Sequence, residues 1–324
     1  MKDDFARTID YLRISITDRC NERCLYCLPE GFTDWRPREE ILTYEEFLAV
    51  AEAAVALGFR KYRVTGGEPL VRRDAEHFIC ELLKLRGIAQ VGLSTNATRL
   101  APIADKLARA GLHSVNISLD ALVPDVYRRI TGGNIVDVMA GIDAARDAGI
   151  PNVKLNAVLM RGINENQILP LIAFAASKRL LLRFIELMPV STSDVLTDEN
   201  FFPIAEAKRV IESQTELVPS ASKFGNGPAV YYELPKLGVT VGFIGAMTDH
   251  HFCEACNKMR LTADGKIRPC LGQHGEVDLK PALRPVFQPD LLRELFLTAL
   301  RTKPREHSFR ENYQPGRIMT AIGG

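Results

Sequence analysis

The sequence predicts an α/β fold, an incomplete (βα)6 TIM-like barrel followed by a separate C-terminal portion. Three observations carry this: apolar runs of strand character alternate with helix-period segments from Tyr11 to Met188, glycines close several of the helices, and the alternation then stops. Alternating strand and helix implies a parallel sheet covered by helices. Six such units in about 190 residues fall short of the ~250 that a closed eight-unit barrel typically needs.

Taken in order, the strands are Tyr11–Thr17, Arg60–Thr65, Val91–Asn96, Ser114–Asp120, Val153–Leu159 and Leu181–Leu187. Between them, helices are expected at Tyr44–Leu57, Ala75–Leu85, Ile103–Ala110, Ile135–Ala148 and Gln167–Ser177. Gly58, Gly87, Gly111 and Gly149 each stand just past the last apolar residue of a helix, where a left-handed stop belongs. After Met188 the rhythm breaks into a helix at Ile204–Ser213, a Gly/Pro-rich stretch around Gly225–Pro228 and a group of cysteines. The expected division is therefore 1–190 for the barrel and 191–324 for a C-terminal domain.

Composition limits the function classes. At 46% hydrophobic and 25% charged residues over 324 positions, the chain can build a full-sized core. A formal net charge of +1 gives no global field toward nucleic acid or anionic membrane, so anion specificity must come from local clusters of Lys and Arg. No apolar stretch approaches the ~20 residues of a membrane span, and the start MKDDFARTID is too polar for a secretory signal. Six of the seven cysteines fall in two triplets, which favours metal ligation in a reducing cytoplasm over disulfides. Cys80 stands alone in the helical stretch His77–Lys84 and reads as a buried structural thiol.

Strand parity carries a second message. Parallel strands buried on both faces usually read as continuous apolar runs, yet here polar residues alternate with apolar ones. Arg13, Ser15 and Thr17 oppose Leu12, Ile14 and Ile16; Lys61, Arg63 and Thr65 oppose Tyr62 and Val64. Ser94 and Asn96, then Asn116, Ser118 and Asp120, then Lys154 and Asn156 continue the pattern on the next three strands. With the apolar faces against the helices, the interior becomes a wet, cation-bearing cavity suited to an anionic ligand. The alternative is a set of solvated residues near strand ends. In the sixth strand Arg183 and Met188 have opposite parity, so either a bulge intervenes or the strand ends before Met188.

Cys20, Cys24 and Cys27, in SITDRCNERCLYCLPEG, put three thiolates on one tight loop at C-x3-C-x2-C spacing, with Tyr26 between the last two. Three thiolates suit three corners of a [4Fe–4S] cube whose fourth iron is left open for a chelating ligand. Structural zinc is the other reading, but zinc sites usually offer C-x2-C pairs and a fourth protein ligand. The stretch Thr65–Leu70, TGGEPL, directly follows the second strand, and its glycines permit close backbone approach. Cys253, Cys256 and Cys270 form a C-x2-C-x13-C group. A zinc ribbon completed by His251 or His274 is the alternative there. The interleaved cations Lys258, Arg260 and Arg268 favour a site holding a polyanion.

The first triplet and the GGE run resemble those of the radical S-adenosylmethionine (SAM) superfamily. From Tyr11 to the C-terminus the chain is similar to the GTP 3′,8-cyclase family of molybdenum-cofactor biosynthesis. The likeness rests on YLRISITDRCNERCLYC, YRVTGGEPLVR, VNISLDAL, VKLNAVLMRG, LRFIELMP, the second triplet and the terminal Ile322-Gly323-Gly324. It implies a radical SAM barrel whose C-terminal extension covers the barrel opening. It also implies two [4Fe–4S] clusters, one on Cys20, Cys24 and Cys27 and one on Cys253, Cys256 and Cys270, with SAM touching Tyr26, Gly67, Ser118 and Met188. GTP would be contacted by Arg13, Arg63, Ser94, Lys154, Lys258, Met259 and Arg260, with Arg183 close by. Arg13, Lys154, Gly323 and Gly324 would serve catalysis, the tail by inserting toward the active site. Ser94 and Lys258 stand where the family more often has threonine and arginine, and lysine loses the planar fork. In the implied reaction a 5′-deoxyadenosyl radical takes hydrogen from ribose C3′, and the carbon radical attacks guanine C8. A further electron and proton complete 3′,8-cyclo-7,8-dihydro-GTP. The family further implies a homodimer, a flavodoxin- or ferredoxin-like electron donor and a downstream cyclic pyranopterin monophosphate synthase. Two rival classes remain: a radical SAM peptide-modifying enzyme with an auxiliary cluster, and a non-enzymatic zinc or nucleic-acid module. The near-neutral charge disfavours nucleic acid.

Overall fold

Six parallel strands stand side by side in chain order: β1 (Tyr11–Ser15), β2 (Lys61–Thr65), β3 (Gln90–Thr95), β4 (Ser114–Ser118), β5 (Asn152–Leu159) and β6 (Leu181–Glu186). The computed structural model describes residues 1–29, 31–190, 196–222, 224–225, 227–311 and 313–323. The connecting helices are α1 (Tyr44–Ala56), α2 (Ala75–Lys84), α3 (Ala104–Arg109), α4 (Pro124–Thr131), α5 (Ile135–Asp147) and α6 (Ile168–Lys178). Local chemistry explains their ends. Thr43 and Glu46 form a reciprocal capping box at the start of α1, and Asn134 caps α5. Gly58, Gly87, Gly111 and Gly149 all take positive φ, as expected of left-handed stops. Among these six helices the sequence reading missed α4, which begins on Pro124 and stops at Gly132 (φ +69°).

The apolar parity of the strands faces the helices. Leu12, Ile14, Val64, Leu93, Val115, Ile117 and Leu155 are all fully buried in one core with Phe47, Ile79, Leu107 and Ile142 from the helices. The opposite parity surrounds a single cavity of about 640 Å³, so the sheet curls around it.

The remainder comprises α7 (Ile204–Glu212), β7 (Val218–Pro219), β8 (Val230–Leu234), β9 (Val239–Ile244), β10 (Lys258–Leu261), β11 (Lys266–Arg268), β12 (Val277–Asp278), α8 (Lys280–Leu283), α9 (Pro289–Arg301) and α10 (Met319–Ile322). Its strands extend both ends of the same sheet, in the order β12-β11-β10-β1 through β6-β9-β8-β7. β10 pairs parallel with β1, and β9 pairs parallel with β6. Buried Glu186, the last residue of β6, locks this arrangement. Its carboxylate accepts from the backbone N–H groups of Ile204, Met247 and Thr248 and from the Thr248 hydroxyl. Among the described residues, no helix is long and apolar enough to cross a membrane.

Candidate active site

The first cysteine loop is aimed by the Gly-Gly turn. Gly67 N–H donates to the Thr17 carbonyl at 2.8 Å and Glu68 N–H to the Arg19 carbonyl at 2.9 Å. A Cβ on Gly67 would stand 2.4 Å from the Arg19 oxygen, and one on Gly66 would stand 2.7 Å from that of Thr17. Only glycine lets these backbones touch, so the motif fixes the entry to Cys20. Cys27 and Leu28 then both donate backbone N–H to the Cys24 carbonyl, curling the loop. Tyr26 donates its hydroxyl to Asp120 Oδ2 at 2.7 Å, and Asp120 Oδ1 accepts from Val158 N–H at 2.7 Å, which sets the ring's direction.

Three carboxyls crowd this end of the cavity. Burial pushes Glu22 and Glu68 up to about 7 and Asp120 up to about 6. Burial also raises the thiols, Cys20 and Cys27 to about 12 and Cys24 well above its ordinary value, and at Cys24 and Cys27 neighbouring sulfurs further oppose ionisation. Such thiols keep their protons until a metal displaces them. Backbone N–H groups of Glu22 and Thr320 approach the sulfurs of Cys20 and Cys27.

The second triplet closes the other end. Cys253 and Cys256 precede β10, Cys270 follows β11, and the antiparallel pairing of those strands brings the three together. Backbone N–H groups of His307, Lys258 and Gly272 point at Cys253, Cys256 and Cys270 respectively. Burial raises Cys253 and Cys270; for Cys256 it is outweighed by the charges of Lys303 and Lys258, and the thiol is lowered. Both histidines considered as zinc ligands are engaged elsewhere. His251 bonds exposed Glu254 at 2.7 Å, and His274 stacks on Tyr313. Among the described residues no three Cys, His, Asp or Glu side chains converge on one metal ion. In a cube each thiolate takes its own iron, so the triplets, desolvated and met by N–H donors, fit an iron–sulfur cluster.

Between the triplets runs a band of cations set by strand register. Arg260, Arg13 and Arg63 lie abreast on β10, β1 and β2. Arg63 pairs across to Gly92, which makes room for its guanidinium. That guanidinium donates to Tyr11 Oη at 2.6 Å, the Leu93 carbonyl at 2.7 Å and Ser114 Oγ at 2.9 Å. Arg183 donates Nε to Asn156 Oδ1 at 2.9 Å, while among the described residues its buried Nη2 has no hydrogen-bond partner. Burial, then the repulsion of Arg260, lowers Arg13 to about 9; burial lowers Arg260 to about 10. Burial, then Arg183 and Arg63, lowers Lys154 to about 8, and burial also lowers Lys258. The guanidinium groups stay charged at neutral pH, so these shifts record burial first and, at Arg13 and Lys154, like charge second, and a bound anion would offset both.

Of the residues predicted from sequence, Arg13, Tyr26, Arg63, Gly67, Ser94, Ser118, Lys154, Arg183, Met188, Lys258, Arg260 and all six triplet cysteines line this cavity. Met188 reaches it because β6 ends at Glu186, which resolves the parity conflict. Met259 is placed differently: its side chain is fully buried in the apolar core, on the face of β10 opposite Lys258 and Arg260, leaving only its backbone toward the cavity side. Gly323 packs against Ser15 and Thr65, with its carbonyl on Arg260 Nη1 at 2.6 Å; Gly324 lies outside the described residues. Sequence reasoning missed Tyr11, which shares Arg13's parity and was legible. It also missed Lys303, Glu22 and Arg317, whose partners are far away in sequence.

Residues 14–175 match the Radical SAM superfamily and residues 180–309 match Molybdenum Cofactor Synthesis C. Over 100% of both chains, the protein is 45% identical to the GTP 3′,8-cyclase of Thermodesulfovibrio yellowstonii and 43% identical to that of Pelotomaculum thermopropionicum. Among solved structures, Streptococcus suis SuiB bound to precursor peptide SuiA has a TM-score of 0.61 at 15% identity, covering 92% of this chain and 67% of that one. SuiB bound to S-adenosylmethionine gives the same score at 14% identity, with 95% and 77% covered. At such identity the likeness is one of fold. The two family matches and the full-length identities agree: the chain belongs to the GTP 3′,8-cyclase family of the radical SAM superfamily.

Proposed function

We propose that this protein converts GTP to (8S)-3′,8-cyclo-7,8-dihydroguanosine 5′-triphosphate, the opening step of molybdopterin (molybdenum cofactor) biosynthesis. The observation that carries this reading is one cavity with a cysteine triplet at each end and a band of buried cations between them. In this reading Cys20, Cys24 and Cys27 hold a [4Fe–4S] cluster, and SAM lies among Tyr26, Gly67, Ser118 and Met188. Cys253, Cys256 and Cys270 hold a second cluster facing the guanine. When bound, the first cluster and SAM supply a 5′-deoxyadenosyl radical able to remove the ribose C3′ hydrogen.

The protein's own share is placement. Arg13, Lys154, Arg183, Lys258 and Arg260 clamp the triphosphate, and Ser94 offers a hydroxyl from β3. Arg63 serves the same band from behind: its donors are held by Tyr11, Leu93 and Ser114, so it fixes strand spacing and adds charge. Met259 enters only as the backbone link between Lys258 and Arg260. Reacting atoms must be held roughly 3–3.5 Å apart, and the C-terminal tail, seated on Ser15 and Thr65, helps exclude water from that space. Residues 1–190 thus carry SAM chemistry, and 191–324 carry base recognition and the cover. A homodimer, a flavodoxin- or ferredoxin-like electron donor, a downstream cyclic pyranopterin monophosphate synthase and a cytoplasmic location complete the proposal.

Anaerobic incubation with GTP, SAM and a strong reductant, followed by mass analysis of the nucleotide, tests it. A cyclised product isomeric with GTP is expected, together with 5′-deoxyadenosine. Unchanged GTP alongside normal 5′-deoxyadenosine formation would remove GTP as the substrate. Cys24→Ala should abolish 5′-deoxyadenosine formation altogether.

A further inference from the structure

Lys303 follows α9 by two residues and is only 4% exposed. Its ammonium donates to the Lys258 carbonyl at 2.8 Å and the Pro269 carbonyl at 2.7 Å, and it meets Cys256 Sγ at 3.6 Å. An ammonium has three N–H donors, so all three are engaged. Every acceptor belongs to the two segments that carry thiols: Lys258 follows Cys256 by two residues, and Pro269 immediately precedes Cys270. Its oxygen acceptors are neutral carbonyls, and a buried cation requires compensating negative charge. The sulfur is the acceptor able to supply it.

We infer that Lys303 is a positioning residue for the cluster held by Cys253, Cys256 and Cys270, supplying the fixed positive charge that favours its reduced form. The inference rests on the two-cluster reading above. Three thiolates leave a [4Fe–4S] cube anionic, and one-electron reduction adds a further negative charge. A cation held against a ligating sulfur stabilises that extra charge, and N–H···S bonding raises cluster potential in the same direction. The carbonyl bonds at the same time hold the Cys256 and Cys270 segments at constant separation.

The test uses the full-length chain with Cys20, Cys24 and Cys27 replaced by alanine, reconstituted anaerobically so that only the second triplet can hold a cluster. Iron content is measured first. The potential is then read by paramagnetic resonance during titration with dithionite. Lys303→Met and Lys303→Gln should disfavour reduction at least tenfold, a fall of 59 mV for one electron, and Lys303→Arg should recover most of it. Gln keeps an amide N–H2 able to donate to the carbonyls without the charge, so the Gln–Arg comparison stands even where Met does not fold. Equal potentials in folded Gln and Arg variants overturn the role of Lys303 and leave the cluster reading intact. A parent lacking the first triplet that takes up no cluster overturns both.

Discussion

Arg260 donates Nη1 to the carbonyl of Gly323 at 2.6 Å, tying the last described residue of the chain to the strand that follows Cys256. The backbone of Thr320 meets Cys27. The short helix α10 is therefore tied at one end to the first cysteine loop and, through Gly323, to β10 at the other.

Gly323 tests that seating directly. Its φ is +89°, and an added Cβ would lie 2.8 Å from Thr65 Cγ2 and 2.9 Å from Ser15 Cβ. Gly323→Ala, or removal of Gly323 and Gly324, should cut cyclised product at least tenfold while SAM affinity stays within about twofold, because a misplaced group costs on the order of 10²-fold in rate. Product mass analysis and equilibrium dialysis with SAM give the two readouts. Undiminished turnover would take the tail out of the mechanism.

Lys154 predicts a proton linkage. Burial, then Arg183 and Arg63, holds its ammonium down to about 8, so near pH 8 about half the molecules lack that proton. A triphosphate arriving beside it restores the charge, and GTP binding at pH 8 should take up protons. Calorimetry in buffers of different ionisation heat measures the uptake, and Lys154→Met should remove most of it. The sign for stability also follows. The folded value lies below the unfolded one, so the ligand-free protein gains stability as pH rises from about 8 toward 10.5. Proton release on GTP binding would contradict this account.

The tail's anchor is electrostatic. Arg317 grips both oxygens of Asp264 at 2.9 Å and reaches Glu276 at 3.1 Å. Burial works against ionisation of Asp264, but the Arg317 fork outweighs it and holds the carboxyl at about 2. This contribution is fully present above pH ~4 and is lost as pH falls toward 2. Arg317→Met should cost about 2 kcal/mol at pH 7, because Asp264 keeps only Arg36 at 3.6 Å as a charged partner, and should move acid unfolding to higher pH. Denaturant titrations at pH 3, 5 and 7 measure both effects.

Arg63 and Gly92 form one unit. A Cβ on Gly92 would sit 2.6 Å from both Arg63 Nη2 and Ser114 Oγ. Gly92→Ala and Arg63→Lys should therefore each lose about 2 kcal/mol, the cost of leaving a buried polar partner unpaired, and the double variant should lose less than the sum. A fully additive double variant in urea unfolding would separate the two residues.

The barrel strands were legible because a period of two and glycine stops persist through residues that pack against helices. The inward cations Arg13, Arg63 and Lys154 followed from the same parity, whereas Arg183 came only with the family resemblance. Parity applied to β10 would also have turned Met259 away from its neighbours. α4 was missed because its eight residues carry four charged side chains or prolines in a short span between Val123 and Gly132. The pairing of β10 with β1 and β9 with β6 is a choice between distant edges, which local pattern does not encode. Lys303 left no trace for a similar reason: two of its three acceptors are backbone carbonyls, present at every residue.

The place of β1 between β2 and β10 has a consequence for how the chain is made. Its outer edge stays bare until residue 258 leaves the ribosome, and that of β6 until residue 239 does. A nascent or truncated product ending near 190 would thus show two raw parallel edges, the surfaces most prone to sticking to other chains. Soluble yield in a heterologous host should depend on chaperone supply during that interval more than on the finished protein's stability.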